Sequence, residues 1–525
     1  MSKDVRGGEG RDRHERSGGS AAKEGGASGP VATLRPGLLP EPLIYERGTP
    51  GRTGALVDPG AAGGPAVADV IPPALLRQDD LAGLPEVSEL DVVRHFTRLS
   101  QWNLCAASTL YPLGSCTMKY NPLMNEAAAA LAGFAGLHPL LPERWTQGAL
   151  ELMARLADFL REVSGLPGIT LQPAAGAHGE LTGMKMIRAY HVDRGNPRRR
   201  VLIPASAHGT NPATAALCGY GVTEVPADRE GMLEVETVRR LLGDDVAALM
   251  VTNPNTLGVF ERDIAAIAAA VHEAGALLYC DGANMNALMG VAKPGDMGAD
   301  VLQFNLHKTF STPHGGGGPG AGPVAVSARL EEYLPVPRLV REGDIWRWRE
   351  SFPRAIGRVR AFHGNFAILV RAYCYMRALG REGLEDATFM AVLNANYVRA
   401  RLAATYPLAY ATPSLHECVF SDRDLAATGV HTLDVAKRLL DYGFFAPTIY
   451  FPLVVPGALM IEPTETESKQ TLDEFITALE AIAAEAHRDP EMVKAAPHST
   501  FVGRLDETRA ARRPILRWSK PAGDP

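Results

Sequence analysis

The chain has 525 residues, of which 46% are hydrophobic and 21% are charged, a composition typical of globular domains. This length predicts two or more domains with a large buried core. The formal net charge of −6 gives no reason to expect nucleic acid as a partner, and no apolar run reaches the roughly 18 residues that a membrane span needs. Six scattered cysteines without a CxxC pair favour reduced thiols in the cytoplasm over a disulfide framework or a zinc site.

The N-terminal part of the chain changes composition before regular structure is expected. Residues 1–41 are rich in Gly, Ser and charged residues, which predicts a disordered tail, and their acidic residues argue against a mitochondrial transit peptide. Residues 42–86 are rich in Pro and Gly, which predicts an extended N-terminal arm. From residue 87 onwards apolar residues recur at helical spacing, which predicts an N-terminal helical segment over 87–147.

Short apolar segments alternate with helical patterns between residues 148 and 330. The predicted strands are ITLQPA, RVLIPA, VTEVPA, VAALMVTNP, ALLYCDG and DVLQFN. This alternation predicts a large α/β domain whose mostly parallel sheet carries helices on both faces. Ligands of such sheets bind beyond the carboxyl ends of the strands, so the residues that follow each strand are the candidates for a functional site.

The remainder of the chain has a different pattern. A connecting segment over 331–365 leads to a helix-rich stretch with a few strands, which predicts a smaller C-terminal α/β domain over 366–490. Residues 491–525 are basic and contain prolines, which predicts a C-terminal tail.

A lysine and a glycine-rich loop follow the last predicted strand, in the stretch NLHKTFSTPHGGGGPG. Lys308 precedes the glycines, whereas a nucleotide-binding P-loop places its lysine after them. The other chemistry is an amine that condenses with the aldehyde of pyridoxal phosphate. That cofactor also needs an acid at its pyridine nitrogen, an anchor for its phosphate and a flat group against its ring.

Other predicted strand ends offer the remaining groups. Asp281 ends an apolar strand, where a carboxylate needs a cationic partner such as a protonated pyridine nitrogen, although it could instead cap the next turn. Gly176, Ala177 and His178 lie between a strand and a helix start, where free N–H groups favour a phosphate. His208 also follows a strand and could stack on the ring and carry protons, although a lone histidine is more often structural.

Eight stretches of the chain resemble one family. They are YPLGSCTMKYNP, LQPAAGAHGELTG, SAHGTNPAT, TNPNTLGVFE, DGANMNA, NLHKTFSTPHGGGGPG, IGRVRAFHGN and ALMIEPTETESK. Together they are similar to the glycine cleavage system P-protein, a decarboxylating glycine dehydrogenase, and to subunit 2, the pyridoxal-bearing half of its two-chain form. The resemblance extends over about residues 42–518, which is nearly the whole chain.

The resemblance implies a fold type I, aspartate-aminotransferase-like structure with Lys308 as the pyridoxal lysine. It also implies Asp281 at the pyridine nitrogen, His208 at the ring face, and Asn305 and His307 among the polar groups around the cofactor. The implied reaction is decarboxylation of glycine, with release of CO2 and transfer of the aminomethyl group to the lipoyl arm of the H-protein. The implied partners are the sister P-protein subunit 1, in an α2β2 heterotetramer, and the lipoylated H-protein.

Two alternatives to that function differ in kind. One is a stand-alone fold type I amino-acid decarboxylase or lyase that works as a homodimer, and the other is a non-catalytic scaffold subunit. The glycine-rich loop, residues 315–320, also has two interpretations. It lets the lipoyl arm or a partner chain pass close to the cofactor, or it forms a buried turn against the sheet.

The stretch YPLGSCTMKYNP has no single interpretation from the sequence. Gly114, Ser115 and Thr117 could hydrogen-bond a carboxylate or a phosphate, and Lys119 could steer an anionic substrate. Cys116 is either a thiol open to oxidation or a small residue of the core.

Overall fold

The structure, a computed structural model, describes residues 41–52, 54, 64–76, 84–315 and 320–519. Nearly all of the predicted disordered tail, part of the predicted arm and residues 316–319 of the glycine-rich loop lie outside the described residues. The predictions made for these segments therefore stay predictions.

The described residues form fourteen α-helices and twelve β-strands. The helices are α1 (Val67–Val70), α2 (Glu89–Trp102), α3 (Leu123–Ala129), α4 (Ala132–Ala135), α5 (Gln147–Ser164), α6 (Gly176–Asp193), α7 (Thr210–Leu217), α8 (Val235–Leu241), α9 (Ile264–Glu273), α10 (Phe366–Leu402), α11 (Thr432–Asp441), α12 (Lys469–Arg488), α13 (Pro490–Ala495) and α14 (Glu507–Arg512). The strands are β1 (Gly168–Thr170), β2 (Arg200–Pro204), β3 (Gly221–Val225), β4 (Val246–Thr252), β5 (Leu277–Gly282), β6 (Val301–Phe304), β7 (Val324–Val326), β8 (Arg338–Glu342), β9 (Ile345–Arg349), β10 (Cys418–Ser421), β11 (Thr448–Ile449) and β12 (Ala458–Ile461). Among these helices, none has both the length and the apolar character needed to cross a bilayer.

The large sheet has seven strands in the order β1-β7-β6-β5-β4-β2-β3. Strands β2 to β6 pair in parallel, and β7 runs antiparallel to its two neighbours. The predicted mostly parallel sheet is therefore confirmed. The predictions omitted β7, because a strand of three residues is too short to show a period in the sequence.

Helices cover both faces of this sheet. Val301 and Leu302 are neighbours in β6, yet Val301 packs in a core cluster with residues of α6, and Leu302 packs in another with residues of α5. Because successive side chains of a strand point to opposite faces, both faces are buried. Burial on both faces explains why the strand sequences are continuously apolar, as in β4, where every residue is buried.

A smaller antiparallel sheet, β10-β12-β11, packs with α11, α12 and α13 in the C-terminal part of the chain. Helix α10 connects the two cores and is broken at Gly380, whose φ of +64° is not helical. Before the break Leu369 packs against the large sheet, and after it Val398 packs into the core of the small one. The two regions therefore share one helix.

The N-terminal segment lies against both regions. Helix α2 begins with a capping box in which Ser88 and Asp91 each accept from the other's backbone N–H. Further along, a backbone bridge joins Leu113 to Ile461 of β12. This bridge brings the stretch YPLGSCTMKYNP between the small sheet and the carboxyl ends of the large one.

Candidate active site

A cavity of about 250 Å³ lies at the carboxyl ends of the parallel strands. Seven of the eight residues predicted for the site line it, namely Lys308, Asp281, His208, Gly176, Ala177, Asn305 and His307. The eighth, His178, is not among the lining residues; its Nδ1 accepts from the Ala174 N–H at 3.1 Å and so stabilises the start of α6. Two larger cavities, of about 340 and 610 Å³, contain none of the eight.

The predicted residues meet in one cavity because of the register of the strands. Asp281 of β5 is paired with Gln303 of β6 on one side and with Thr252 of β4 on the other. Asn305 and Lys308 come directly after β6, and the Lys308 N–H donates to the Asn305 carbonyl at 3.0 Å. This tight turn keeps the lysine side chain beside the strand ends, as a parallel sheet with a site at its carboxyl edge requires.

Asp281 is buried, and three donors hold its carboxylate. Asn211 Nδ2 donates to Oδ2 at 3.1 Å, while the Ala283 N–H, at 2.9 Å, and Gln303 Nε2 donate to Oδ1. These donors offset the lost hydration of a buried carboxylate and set its orientation. The contact with Ala283 shows that Asp281 also caps the next turn, so the two interpretations of this residue are compatible.

Neutral imidazoles surround Lys308. Burial, the neighbouring His314 and the charge of Lys308 lower the pKa of His307 to about 3. Burial and the charge of Lys308 likewise lower the pKa of His314 to about 4. Within the described residues no side chain hydrogen-bonds the Lys308 amine, so its nitrogen remains available for chemistry.

The start of α6 forms one wall of the cavity. A Cβ on Gly176 would lie 2.6 Å from Asn305 Nδ2, so a larger residue at this position would have to displace the Asn305 side chain. No side chain caps the helix at Ala175, which leaves the N–H groups of the first turn for an anion. The Oδ1 of Asn305 is buried without a hydrogen-bond partner among the described residues.

These features fit pyridoxal phosphate. The site has an amine for the aldehyde, a buried carboxylate for the pyridine nitrogen and an uncapped 18-residue helix for the phosphate. Two buried atoms of lining residues, the Thr252 hydroxyl and the side-chain Oδ1 of Asn305, have no hydrogen-bond partner among the described residues, which indicates that a polar group belongs in the cavity.

His208 lies at the open side of the cavity. Its Nδ1 is 2.8 Å from Thr210 Oγ1 and accepts from the Thr210 N–H at 3.2 Å, and its ring edge packs against Phe451. The surrounding protein and then the charge of Lys308 lower the pKa of His208. The imidazole is therefore neutral at pH 7.

Glu180 of α6 is a lining residue that the sequence analysis did not identify. It accepts from Thr210 Oγ1 at 2.8 Å, from Asn211 Nδ2 at 3.0 Å and from Thr214 Oγ1 at 3.3 Å. Burial and then the charge of Asp281 raise its pKa to about 7. Its position one turn after the helix start was the only local indication, since its partners lie about 30 residues further along.

Two buried glutamates of the small domain hold the stretch YPLGSCTMKYNP. Glu417 Oε2 accepts from the Ser115 N–H at 2.8 Å, and Glu462 accepts from the Thr117 N–H at 2.9 Å and from its hydroxyl at 2.6 Å. Ser115 and Thr117 both have positive φ, of 63° and 49°, which costs of order 1–3 kcal/mol per residue. The carboxylates stabilise this turn, and the turn places Ser115 against the cavity.

Lys119, at the end of that stretch, is buried. Its Nζ donates to Glu465 at 2.6 Å, to Asn286 at 2.8 Å and to the Tyr375 hydroxyl at 3.1 Å. The predicted role of Lys119 in steering an anionic substrate is therefore wrong, because an enclosed ammonium group with three partners cannot meet a substrate at the surface. Lys119 instead joins the N-terminal segment to Asn286 and Tyr375 beside the large sheet and to Glu465 of the small domain.

The glutamates form a buried cluster with His416, in which one atom from each side chain lies within 4.8 Å of the others. Burial and then repulsion from Glu462 raise the pKa of Glu417, and burial raises the pKa of Glu462 to about 7. Burial and the charge of Lys308 lower the pKa of His416 to about 3. The spacing would suit a cation, but two buried carboxylates with raised pKa values can also share a proton.

Family models match two parts of the chain. The model of the glycine dehydrogenase C-terminal domain matches residues 387–498, and that of the class-V aminotransferases matches residues 184–330. The chain is 55% identical over 476 residues to the probable glycine dehydrogenase (decarboxylating) subunit 2 of Chlorobium chlorochromatii, covering 90% of this chain and 99% of that protein. It is 54% identical over 479 residues to the protein of the same name from Halalkalibacterium halodurans, covering 91% of this chain and 98% of that protein.

Solved structures support the fold. A glycine decarboxylase (P-protein) of the glycine cleavage system, in inhibitor-bound form, aligns with a TM-score of 0.67 and 22% identity, covering 80% of this chain and 96% of that one. A cysteine desulfurase from Thermococcus onnurineus NA1 aligns with a TM-score of 0.57 and 17% identity, covering 72% and 95%. The predicted fold type I architecture is confirmed.

Proposed function

The chain belongs to the glycine dehydrogenase (decarboxylating) subunit 2 family, and we propose that it decarboxylates glycine and passes the aminomethyl group to the lipoyl arm of an H-protein. One observation carries the proposal: a single cavity joins Lys308, Asp281 and His208 at the strand ends of a fold type I sheet. The chain is thus an enzyme, an oxidoreductase, that works with pyridoxal phosphate.

Pyridoxal phosphate, when bound, supplies an electron sink for the pair left behind as CO2 departs. Lys308 would be the amine that holds the cofactor. Asp281 would hold a proton at the pyridine nitrogen, and its three donors fix the orientation of the carboxylate. Gly176 and Ala177 offer backbone N–H groups to the phosphate.

The remaining site residues tune these groups. His208 lies at the open side of the cavity. Its imidazole would pack against the pyridine ring of the cofactor and could carry protons. Asn305 and His307 offer uncharged hydrogen-bonding atoms beside Lys308. Because His307 and His314 have pKa values of about 3 and about 4, they add no positive charge beside the amine at neutral pH. We propose for His178 only the support of the phosphate-binding turn, because it does not line the cavity.

The relatives are named as one subunit of a larger enzyme, and this supports a partner subunit. We propose an α2β2 heterotetramer with the sister P-protein subunit 1, and the lipoylated H-protein as the second partner. Five cysteines, Cys116, Cys218, Cys280, Cys374 and Cys418, are reduced thiols in the part of the chain that the structure describes, which supports the cytoplasmic location that we propose. The stand-alone homodimeric decarboxylase is not favoured, because the relatives carry the name of a subunit.

An exposed apolar surface of this chain is available to the sister subunit. We define the terminal face as eight of the exposed apolar residues of the arm, of α2 and of the C-terminal tail: Leu43, Tyr45, Leu84, Leu90, Val93, Phe96, Phe501 and Val502. The three segments adjoin, since Tyr45 stacks on Trp518 and Trp102 of α2 stacks on Phe501. Exposed apolar residues that are concentrated on adjoining segments are typical of protein interfaces.

The test is the exchange of the glycine carboxyl group with bicarbonate, measured with pyridoxal phosphate and lipoylated H-protein. We expect little exchange from the chain alone and full exchange after the sister subunit is added. Full exchange without the sister subunit would favour the homodimer. A chain that binds no pyridoxal phosphate, judged by absorbance before and after borohydride, would favour the scaffold.

A further inference from the structure

Glu180 connects two residues proposed to act on the cofactor, His208 at the face of its ring and Asp281 at its pyridine nitrogen. We propose that Glu180 is a positioning residue that determines, through Thr210, which ring nitrogen of His208 carries the proton, and that shares, through Asn211, a donor with Asp281. The importance of this link for the reaction rests on the proposed function. The link itself is a property of this chain and can be tested without cofactor or substrate.

The first half of the link passes through one hydroxyl group. Thr210 Oγ1 is 2.8 Å from Glu180 Oε1 and 2.8 Å from His208 Nδ1. A hydroxyl has one proton and cannot donate in both directions. If Glu180 is ionised, the Thr210 hydroxyl donates to it and must accept a hydrogen bond from the protonated Nδ1 of His208. If Glu180 is protonated, it donates to Thr210, which then donates to Nδ1.

The two arrangements give opposite tautomers of the same neutral ring. With Glu180 ionised, His208 carries its proton on Nδ1 and has a lone pair on Nε2. With Glu180 protonated, the proton is on Nε2, and the ring edge opposite Thr210 becomes a donor. The Thr210 N–H, which donates to Nδ1 at 3.2 Å, stabilises the second arrangement.

The second half of the link passes through an amide. Asn211 Nδ2 donates to Glu180 Oε2 at 3.0 Å and to Asp281 Oδ2 at 3.1 Å, so each carboxyl group receives one of its two N–H groups. Both carboxyl groups are buried. Two negative charges this close repel each other, and a proton on Glu180 removes the repulsion while Asp281 keeps its charge.

The groups that face Glu180 favour a proton on Glu180 and a negative charge on Asp281. Asp281 and the buried Tyr279 approach it from β5, His208 from the loop after β2 and the Thr214 hydroxyl from α7. Burial and the charge of Asp281 raise the pKa of Glu180 to about 7. The proton on Glu180 is therefore exchanged near neutral pH, and the tautomer of His208 changes over the same pH range.

The experiment is ¹⁵N NMR of the full-length protein without cofactor, labelled at the histidine rings. The signals of His208 are assigned by their loss in His208→Gln. In the wild type we expect the Nε2–H tautomer below pH 7 and a growing share of Nδ1–H above it. In Glu180→Gln, whose amide group can donate at every pH, we expect the Nε2–H tautomer throughout.

Two further variants complete the test. Thr210→Val removes the hydroxyl at nearly constant volume, so it should abolish the pH-dependent change of tautomer. Glu261→Gln is the matched control, because Glu261 is also buried with a pKa of about 7, accepts from Leu233 and Asn255, and does not line the cavity. It should leave the His208 signals as in the wild type.

Circular dichroism of each variant establishes that it is folded. A wild-type tautomer that does not change between pH 6 and pH 8 would overturn the proposal, and so would a change that survives in both Glu180→Gln and Thr210→Val. Because the measurement uses neither glycine nor the sister subunit, its outcome is independent of the proposed reaction.

Discussion

Two regions of this chain reverse the usual distribution of side chains, in opposite directions. The cavity and its surroundings bury carboxyl groups, among them Asp281, Glu180 and Glu462, whereas the terminal face exposes large apolar side chains such as Phe96 and Val93. Scattered exceptions of either kind are common, but a concentration of them marks function. This contrast supports the proposals that the buried polar groups serve the chemistry and that the exposed apolar groups meet a partner.

The two regions also differ in whether their side chains find partners within the same chain. The buried carboxyl groups find donors within the same chain, as Asp281 does with Asn211 and Gln303. The apolar residues of the terminal face stay exposed within the chain, which fits a surface that another protein covers. Variants in the cavity should therefore change chemistry, and variants in the terminal face should change assembly.

Lys308→Arg should have the largest effect. A guanidinium group does not form a stable bond with the pyridoxal aldehyde, so glycine-dependent exchange of CO2 should fall by about three orders of magnitude or more. The assay is bicarbonate exchange with the sister subunit and H-protein present. Lys293→Arg, at an exposed lysine paired with Glu162, is the control and should keep its activity. Retained activity in Lys308→Arg would exclude Lys308 as the covalent residue.

Asp281→Asn should have the next largest effect. It removes the charge that we propose holds the proton on the pyridine nitrogen, so we expect exchange to fall by about 100- to 1000-fold while the cofactor still binds. Asp245→Asn, at a more exposed aspartate paired with Arg200, should be close to wild type. A loss of less than about tenfold in Asp281→Asn would mean that another group protonates the ring.

Phe96→Asp tests the terminal face. The phenyl ring is 56% exposed in the single chain, so the stability of the isolated chain should change by no more than about 0.5 kcal/mol. Affinity for the sister subunit, measured by sedimentation, should fall by at least about tenfold. Leu217→Asp, at a residue that is 73% exposed outside the terminal face, is the control. If both variants bind the sister subunit with equal affinity, the terminal face is not part of the interface.

Glu462→Gln should have the smallest effect and should appear only as a pH dependence. Burial raises the pKa of Glu462 from 4.5 to about 7, so between these values the folded state keeps a proton that the unfolded chain releases. The free energy of unfolding of the wild type therefore falls as the pH rises through this window, by on the order of 1 kcal/mol from this residue. Urea titrations between pH 5 and pH 8 should show a smaller fall in the variant.

The control for that measurement is Glu236→Gln, at an exposed glutamate on α8. Its stability should follow the wild-type pH dependence. If the free energy of unfolding of Glu462→Gln falls with pH as steeply as that of the wild type, the proton is held by Glu417 or by another residue of the cluster.

Much of the site could be predicted from strand ends. Asp281 and Lys308 each lie at or just after an apolar segment, and a parallel sheet brings all such positions to one edge. Glu180 could not be predicted in this way, because it lies inside a helix and its role depends on Thr210 and Asn211 of another element. Lys119 was interpreted wrongly because an isolated lysine is normally solvated, and the sequence does not show the pocket that encloses it.

The local sequence pattern was sufficient to predict the alternating strands and helices and the side chains that follow each strand, because both depend on short-range periodicity. The contacts of Ser115 with Glu417 and of Thr117 with Glu462 join residues 302 and 345 positions apart, and periodicity carries no information about such pairs. They form only when α10 and the bridge to β12 bring the small domain against the cavity. Which carboxyl groups are buried together, and hence which of them hold protons near neutral pH, is therefore a consequence of tertiary packing, since burial and mutual repulsion set their pKa values.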